Sequence, residues 1–279
     1  MESEALVDLK RRAIKIRRMT LEEIADLGVG HIGGCMSVVE ILVHLYHRTM
    51  DVDPTNPTDS RRDKFVMSKG HAGPALYAIL ADMGFFPESW LRTLNRGGTS
   101  LPSHCDMNRT PGIDMTTGSL GQGLSAAIGM ALGHRIRNLP GRVFALLSDG
   151  DLNEGQTWEA AMFAAMYGLT DLTAFVDYNR MQIDGASIDV MNIANQVDRW
   201  TSFGWYAQEV DGHDLAAIGV AMDSALSQHD RPSMIILDTI KGKGMPFCEG
   251  DYTNHNMKVS QENRHEGLAS LAAEEEALR

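Results

Sequence analysis

A doubly wound α/β fold, with a mostly parallel sheet covered by helices on both faces, is the class this sequence predicts. Three observations carry the prediction. Short apolar runs at 64–67, 143–147, 172–176, 206–210 and 234–237 alternate with amphipathic stretches of helical length. The central runs are continuous in Val, Leu, Ile, Ala and Phe, as expected of strands buried on both faces. Several of these runs also break into polar or Gly-containing segments, the punctuation of a strand entering a loop.

Composition sets the frame for these elements. A chain of 279 residues with 43% hydrophobic content can bury a full core, so one domain spanning 1–279 is expected. The net charge of -12 and pI near 5.2 exclude the basic footprint that nucleic acid or an anionic membrane would require. Three widely spaced cysteines, Cys35, Cys105 and Cys248, form no CxxC pair and indicate neither a disulfide framework nor a zinc site. The first 18 residues are charged throughout, without the apolar core of a signal peptide, and no run of about 18 apolar residues occurs. A cytoplasmic protein with small-molecule or protein partners is expected. No solenoid-period repeat or low-complexity segment is present.

In chain order, residues 3–27 read as helix with Leu6, Leu9, Ala13 and Ile16 on one stripe, and Thr20-x-x-Glu23 resembles a capping box that starts a second piece. Gly28 to Gly34 matches the GxGxxG fingerprint, but that motif requires a preceding strand and the residues before it read as helix, so the match is a decoy. His31, bracketed by glycines, is free to reach a ligand. A helix from Met36 to about Arg48 follows, in which His44 and His47 read as surface side chains rather than metal ligands. After a proline-rich loop and the strand at 64–67 comes a second Gly-bracketed histidine, His71. The long polar loop 101–123 carries His104, and its run Gly118 to Gly123 opens a helix with backbone groups available to a ligand or to close helix packing.

The central unit runs from Arg142 to Gly185. It is strand, helix, strand, with Asp149 and Asn179 at matching strand ends. Ligands of open parallel sheets sit outside the carboxyl ends of strands, so both side chains should face one crevice. A carboxylate beside an amide oxygen suits a hard divalent cation such as Mg2+, which completes its shell with phosphate oxygens and water. Helix N-terminal N–H groups near Gly150 to Glu154 add anion donors. The same residue types also build an Asx turn after a strand. Further on, 188–203 reads as mixed helix, 216–226 as amphipathic helix, Lys241-Gly242-Lys243-Gly244 as a solvated turn or a basic pair that could hold an anion, and 261–279 as an exposed helix or frayed end.

The box DGDLNEG at 149–155 followed by DYN at 177–179 resembles the thiamine diphosphate motif, and in detail it is similar to transketolase. GHIGG at 30–34, SKGHAGPALY at 68–77, SHCD around His104, TTGSLGQGLS at 116–125, DYNRMQIDG at 177–185, VDGHD at 210–214 and KGKG at 241–244 follow in the same order and span nearly the whole chain. The resemblance implies that Asp149, Asn179 and the Met181 carbonyl hold Mg2+, or Ca2+ or Mn2+ in its place. It implies that His71, His255 and the Gly150 N–H contact the diphosphate of the cofactor thiamine diphosphate. Gly118 and Leu120 would border its ring system, Ile183 would prop its bent shape, and Glu154 would support the metal-diphosphate site. His31 and His104, with His255, would address sugar hydroxyls. Ser148, Ile32 and Cys105 depart from residues common in the family, beside these positions.

The implied reaction is transfer of a two-carbon ketol unit from a ketose to an aldose, with imidazoles moving protons. The family joins a diphosphate-binding domain to a pyrimidine-binding domain, and this chain matches only the first. The implied protein is therefore the N-terminal subunit of a split transketolase, paired with a C-terminal pyrimidine-binding subunit in an assembly holding two copies of each chain. Its substrates would be sugar phosphates or sugars with another acidic group. The alternatives are a subunit of a 2-oxo acid dehydrogenase or deoxyxylulose phosphate synthase, a relative that has lost catalysis, and, on the decoy glycines alone, a dinucleotide oxidoreductase.

Overall fold

The computed structural model of the chain describes residues 3–279. Five parallel strands form the central sheet: β2 (Lys64–Met67), β3 (Val143–Ser148), β4 (Leu172–Tyr178), β7 (Tyr206–Asp211) and β8 (Ser233–Asp238), in the spatial order β2-β3-β4-β8-β7. Two small antiparallel pairs sit apart from it. β1 (Val29–Gly30) pairs with β9 (Met257–Lys258), and β5 (Met181–Gln182) pairs with β6 (Gly185–Ala186).

Alternation along the strands divides the interior in two. Phe65, Met67, Phe144, Leu146, Phe175, Ile235 and Leu237 pack on one face with α1 (Glu4–Leu27), α2 (Ile32–Met36), α3 (Val39–His44), α4 (Gly73–Met83) and α9 (Leu215–Leu226). Val66, Val143, Ala145, Leu147, Ala174, Val176 and Ile236 pack on the other with α5 (Gln122–Arg137), α6 (Gly155–Met166) and α8 (Gln196–Ser202). Every residue of β3 is buried, and Phe144 stacks on Phe175 at 6.5 Å across the strand pair. Truncating Phe144 to alanine would cost about 3–5 kcal/mol. The doubly wound α/β class is thereby confirmed, and the sheet sets the carboxyl ends of β2, β3, β4 and β8 side by side.

Local departures from the sequence reading have physical causes. Thr20 and Glu23 start nothing: α1 is continuous, its cap is Ser3, and both residues are buried in mid-helix. The helix expected over 36–48 is broken at Ser37 and Val38, where the Ser37 hydroxyl turns inward to Asp177, and it closes with a π turn over Leu45–Thr49. His44 and His47 do not lie on the surface. His44 is 2% exposed and bonds Thr49 Oγ1 at 3.1 Å, and His47 Nε2 stands 3.0 Å from Asp82 Oδ2. The C-terminal segment is neither frayed nor fully exposed. After α7 (Ser187–Val190), the last helix α10 (Gln261–Ala277) starts at a Ser260/Asn263 capping box and buries Gly267 and Leu271, with Gly267 close to Leu21 of α1. The strand missing before Gly28 is indeed absent, since α1 runs to Leu27. No helix among the described residues is long and apolar enough to cross a membrane.

Candidate active site

Four segments far apart in sequence bring four imidazoles together over the strand ends. His31 caps α2 and His71 lies in the turn between β2 and α4. His104 sits in the long loop, and His255 ends a short turn before β9. The His31 ring centroid lies 5.5 Å from that of His71, 5.4 Å from His104 and 5.3 Å from His255, and His71 and His255 are 4.9 Å apart. All four line one cavity of about 350 Å³, within the range of small-molecule sites. Gly118 borders it with a φ of 145°, and a Cβ there would press on His104 Cδ2 at 3.1 Å. A side chain at that position would strain the backbone and crowd the ring.

The strand ends supply the polar floor. Gly150, Asn179, Met181 and Leu120 line the same cavity, and Ile183, two-thirds exposed at the tip of the β5–β6 hairpin, stands at its rim. Asp149 lies just beneath, 1% exposed, between the lining residues Ser148 and Gly150. Ser187 Oγ donates to its Oδ2 at 2.5 Å, while its Oδ1 is buried without any partner. Burial first, with Asp177 adding to it, pushes this carboxyl up to about 7 against the Ser187 bond and the charges of Lys69 and Lys241. An orphaned buried carboxylate oxygen is costly unless a ligand completes it.

Asn179 is oriented from behind. Its Nδ2 donates to Asp177 at 2.8 Å, which fixes its Oδ1 as the free acceptor; that oxygen takes the Met181 N–H at 3.1 Å. Asp177 is the hub of this layer. It also accepts from Lys69 Nζ at 2.5 Å, Ser37 Oγ at 2.8 Å and Thr239 Oγ1 at 2.5 Å. Burial opposes its ionisation, but the Lys69 ammonium and these donors hold it below the usual carboxylate range. Asp151 plays a parallel part, accepting from Ser68 Oγ, Gly121 N–H and the Ser148 N–H and hydroxyl, and so joins three cavity-forming loops.

A metal and a diphosphate fit these groups. The orphaned Asp149 oxygen, the Asn179 amide oxygen and the Met181 carbonyl are hard oxygen donors of the kind Mg2+ takes with phosphate. No group of three His, Cys, Asp or Glu that could hold a metal occurs among the described residues, so such an ion would depend on amide and carbonyl oxygens as well. Two lysines face the same space. Lys69 is fully buried, and Lys241, at 2% exposure, is not the solvated residue expected; burial and the Lys69 charge lower its amine to about 8. Sequence reasoning gave Lys69 no role and Lys241 only the alternative of an anion contact within a glycine-bracketed basic pair. Both adjoin glycines at strand ends, the pattern that did single out His71.

The imidazoles are held neutral. Burial, then the charges of His104 and Lys241, lowers His31 to about 4; burial and Lys241 lower His255 to about 3. Burial and Lys69 put His71 well below its ordinary value, and burial lowers His104. Of the residues implied by the resemblance, two stay out of the cavity wall: Asp149, buried just beneath it, and Glu154, exposed at the N-cap of α6.

Comparison with known proteins agrees with this arrangement. The family profile "Transketolase, thiamine diphosphate binding domain" matches residues 9–271. The chain is 53% identical to the 6-deoxy-6-sulfo-D-fructose transketolase subunit SqwG of Clostridium sp. (strain MSTE9), covering 98% of this chain and 99% of that one. It is 36% identical to an apulose-4-phosphate transketolase subunit of Phocaeicola vulgatus, over 97% of this chain and 96% of the other. Human transketolase is 38% identical over 91% of this chain, which spans only 40% of that protein. Among solved structures, transketolase from Leishmania mexicana superposes with a TM-score of 0.89 at 26% identity, covering 98% of this chain and 42% of that one. Transketolase from Campylobacter jejuni superposes with a TM-score of 0.87 at 26% identity, over 100% of this chain and 46% of the other. The fold, the strand-end cavity and the matched profile lead to one statement: the chain belongs to the transketolase family, through its thiamine diphosphate-binding domain.

Proposed function

We propose that this chain is the diphosphate-binding subunit of a split, Mg2+-dependent transketolase that works in the cytoplasm with a separate pyrimidine-binding subunit, in two copies of each. The observation that carries the reading is the single cavity in which four neutral imidazoles stand above an orphaned, buried Asp149 oxygen at adjacent strand ends. In support of the split, the chain spans nearly all of two relatives named as subunits but less than half of the full-length transketolases.

Thiamine diphosphate supplies, when bound, the electron sink that cleavage of a C–C bond beside a carbonyl needs. Asp149, Asn179 and the Met181 carbonyl would hold the Mg2+. His71, His255, Lys69, Lys241 and the Gly150 N–H would bind phosphate oxygens. Gly118 and Leu120 would border the rings, with Ile183 supporting them from the rim and Glu154 serving the site from its edge. His31 and His104, joined by His255, would address the sugar. An imidazole that is neutral at pH 7 can accept a hydroxyl proton and return it to an oxyanion, the two transfers that ketol transfer requires.

The 53% identity to a 6-deoxy-6-sulfo-D-fructose transketolase subunit favours a ketose donor with an anionic terminal group. The test is a coupled assay of the chain mixed with its pyrimidine-binding partner, using 6-sulfo and 6-phospho ketoses and pyruvate as donors. Ketol transfer from the acidic ketoses by the mixture alone is expected. Equal turnover by the isolated chain, or preference for pyruvate, would overturn the reading.

A further inference from the structure

The loop that carries Lys241 into the cavity is anchored by a histidine outside it. His213, in the turn after β7, accepts the Ile240 N–H at Nε2 (2.9 Å), and its Nδ1 stands 3.1 Å from Glu40 Oε2. A backbone N–H can only donate, so Nε2 is bare and the proton lies on Nδ1, from which it donates to Glu40. Glu40 is gripped in turn by Arg17, with Nη1 2.6 Å from Oε1 and Nη2 2.8 Å from Oε2, and both side chains are buried. Arg17 also reaches the loop itself, donating from Nε to the Lys243 carbonyl at 3.1 Å, and Gly242 N–H bonds the Gly33 carbonyl at 3.0 Å.

These bonds hold the backbone on both sides of Lys241. Ile240 points its side chain outward, 41% exposed, so the bond to His213 rather than apolar packing fixes the residue where β8 gives way to the loop. Lys241 itself is buried and lines the cavity, its Nζ 3.4 Å from His255 Nδ1.

We propose that His213 is a positioning residue for cofactor binding: backed by Glu40 and Arg17, it holds the Ile240 N–H and thereby aims the Lys241 ammonium at the diphosphate. This rests on the cavity being the thiamine diphosphate site. Residues that orient a ligand-binding group from behind characteristically cost roughly 10–100-fold in affinity when removed.

The experiment is calorimetric titration of thiamine diphosphate with Mg2+ into the chain assembled with its partner subunit, for wild type, His213→Ala, His213→Gln, Lys241→Ala and the double variant His213→Ala/Lys241→Ala. Expected is a roughly tenfold or greater loss of affinity in His213→Ala, with kcat at saturating cofactor unchanged. Most of the affinity returns in His213→Gln, whose amide oxygen can accept the Ile240 N–H. The double variant binds no more weakly than Lys241→Ala, because the two act through one group. Wild-type affinity in His213→Ala, no recovery in His213→Gln, or full additivity in the double variant would overturn the positioning role while leaving the cofactor site intact. A wild-type assembly that binds no thiamine diphosphate would overturn the site and this role together.

Discussion

Removing the Lys69 ammonium is the perturbation whose consequences the structure specifies most fully. Lys69 and Asp177 are an ion pair with no exposed surface, 2.5 Å apart, and Lys69 Nζ also donates to the Gly34 carbonyl at 2.8 Å. Lys69→Met keeps the volume and leaves a buried carboxylate with Ser37, Thr239 and Asn179 as its remaining donors. Breaking a buried pair from one side costs about 3–5 kcal/mol, and the three surviving donors place this case near ~3 kcal/mol. At ~2.1 cal/mol/K per residue, a chain of 279 residues unfolds with an entropy of ~0.6 kcal/mol/K, so the melting temperature should fall by about 5 °C. Adding Asp177→Asn removes the stranded charge and should return about half of that loss or more. Cofactor affinity should not return with it, because the ammonium facing the cavity is still missing. Differential scanning calorimetry of the two variants reads the stability, and titration with thiamine diphosphate reads the affinity. A Lys69→Met chain that melts like wild type, or a double variant less stable than either single one, would refute the reasoning.

Asp149→Asn should leave the cofactor-free chain at least as stable at pH 8, since it removes a poorly paired buried charge, yet abolish the Mg2+ dependence of cofactor binding; thermal shift with and without the metal checks both. Gly33→Ala would drive its Cβ into the buried Asn254 side chain, which holds the turn before His255 through the Lys241 and Cys248 carbonyls. Such overpacking costs about 1–3 kcal/mol, and a loss of activity larger than the fall in melting temperature explains is expected. His31 and His255 should take up essentially no proton between pH 8 and 5, as read from their NMR shifts. Their folded pKa values lie below the ordinary 6.5, so their contribution to stability is complete above that value. It is lost as pH falls through 6.5 toward about 4 for His31 and about 3 for His255. A melting temperature that rises on acidification across that window would contradict the assignment.

The strands, His31 and His71 were legible because each leaves a local mark, a continuous apolar run with a polar stop or a ring between glycines; His104 stood out only by its long polar loop, and His255 only through the family resemblance. Asp149 and Asn179 were legible because matching strand ends must face one crevice. Lys69 and Asp177 were not, and Lys241 only as one of two readings of its turn, since a charge beside a turn reads as solvated until a partner from another segment is placed against it. Lys69 and Asp177 meet across 108 positions of sequence. The same holds for Arg17, Glu40 and His213, whose partners are 23 and 173 positions apart. The buried side of α10 and the buried His44 were missed for a related reason. Local periodicity reports which face is apolar, whereas burial also depends on which helix lands on it.

The position of a divalent ion decides whether the strand-end cavity is a metal-diphosphate site. Crystals of the assembled chains grown with thiamine diphosphate and Mn2+, measured at the manganese edge, should show one anomalous peak within bonding distance of Asp149 Oδ1, Asn179 Oδ1 and the Met181 carbonyl. A peak elsewhere, or a bound cofactor with the Asp149 oxygen still without a partner, would contradict that assignment.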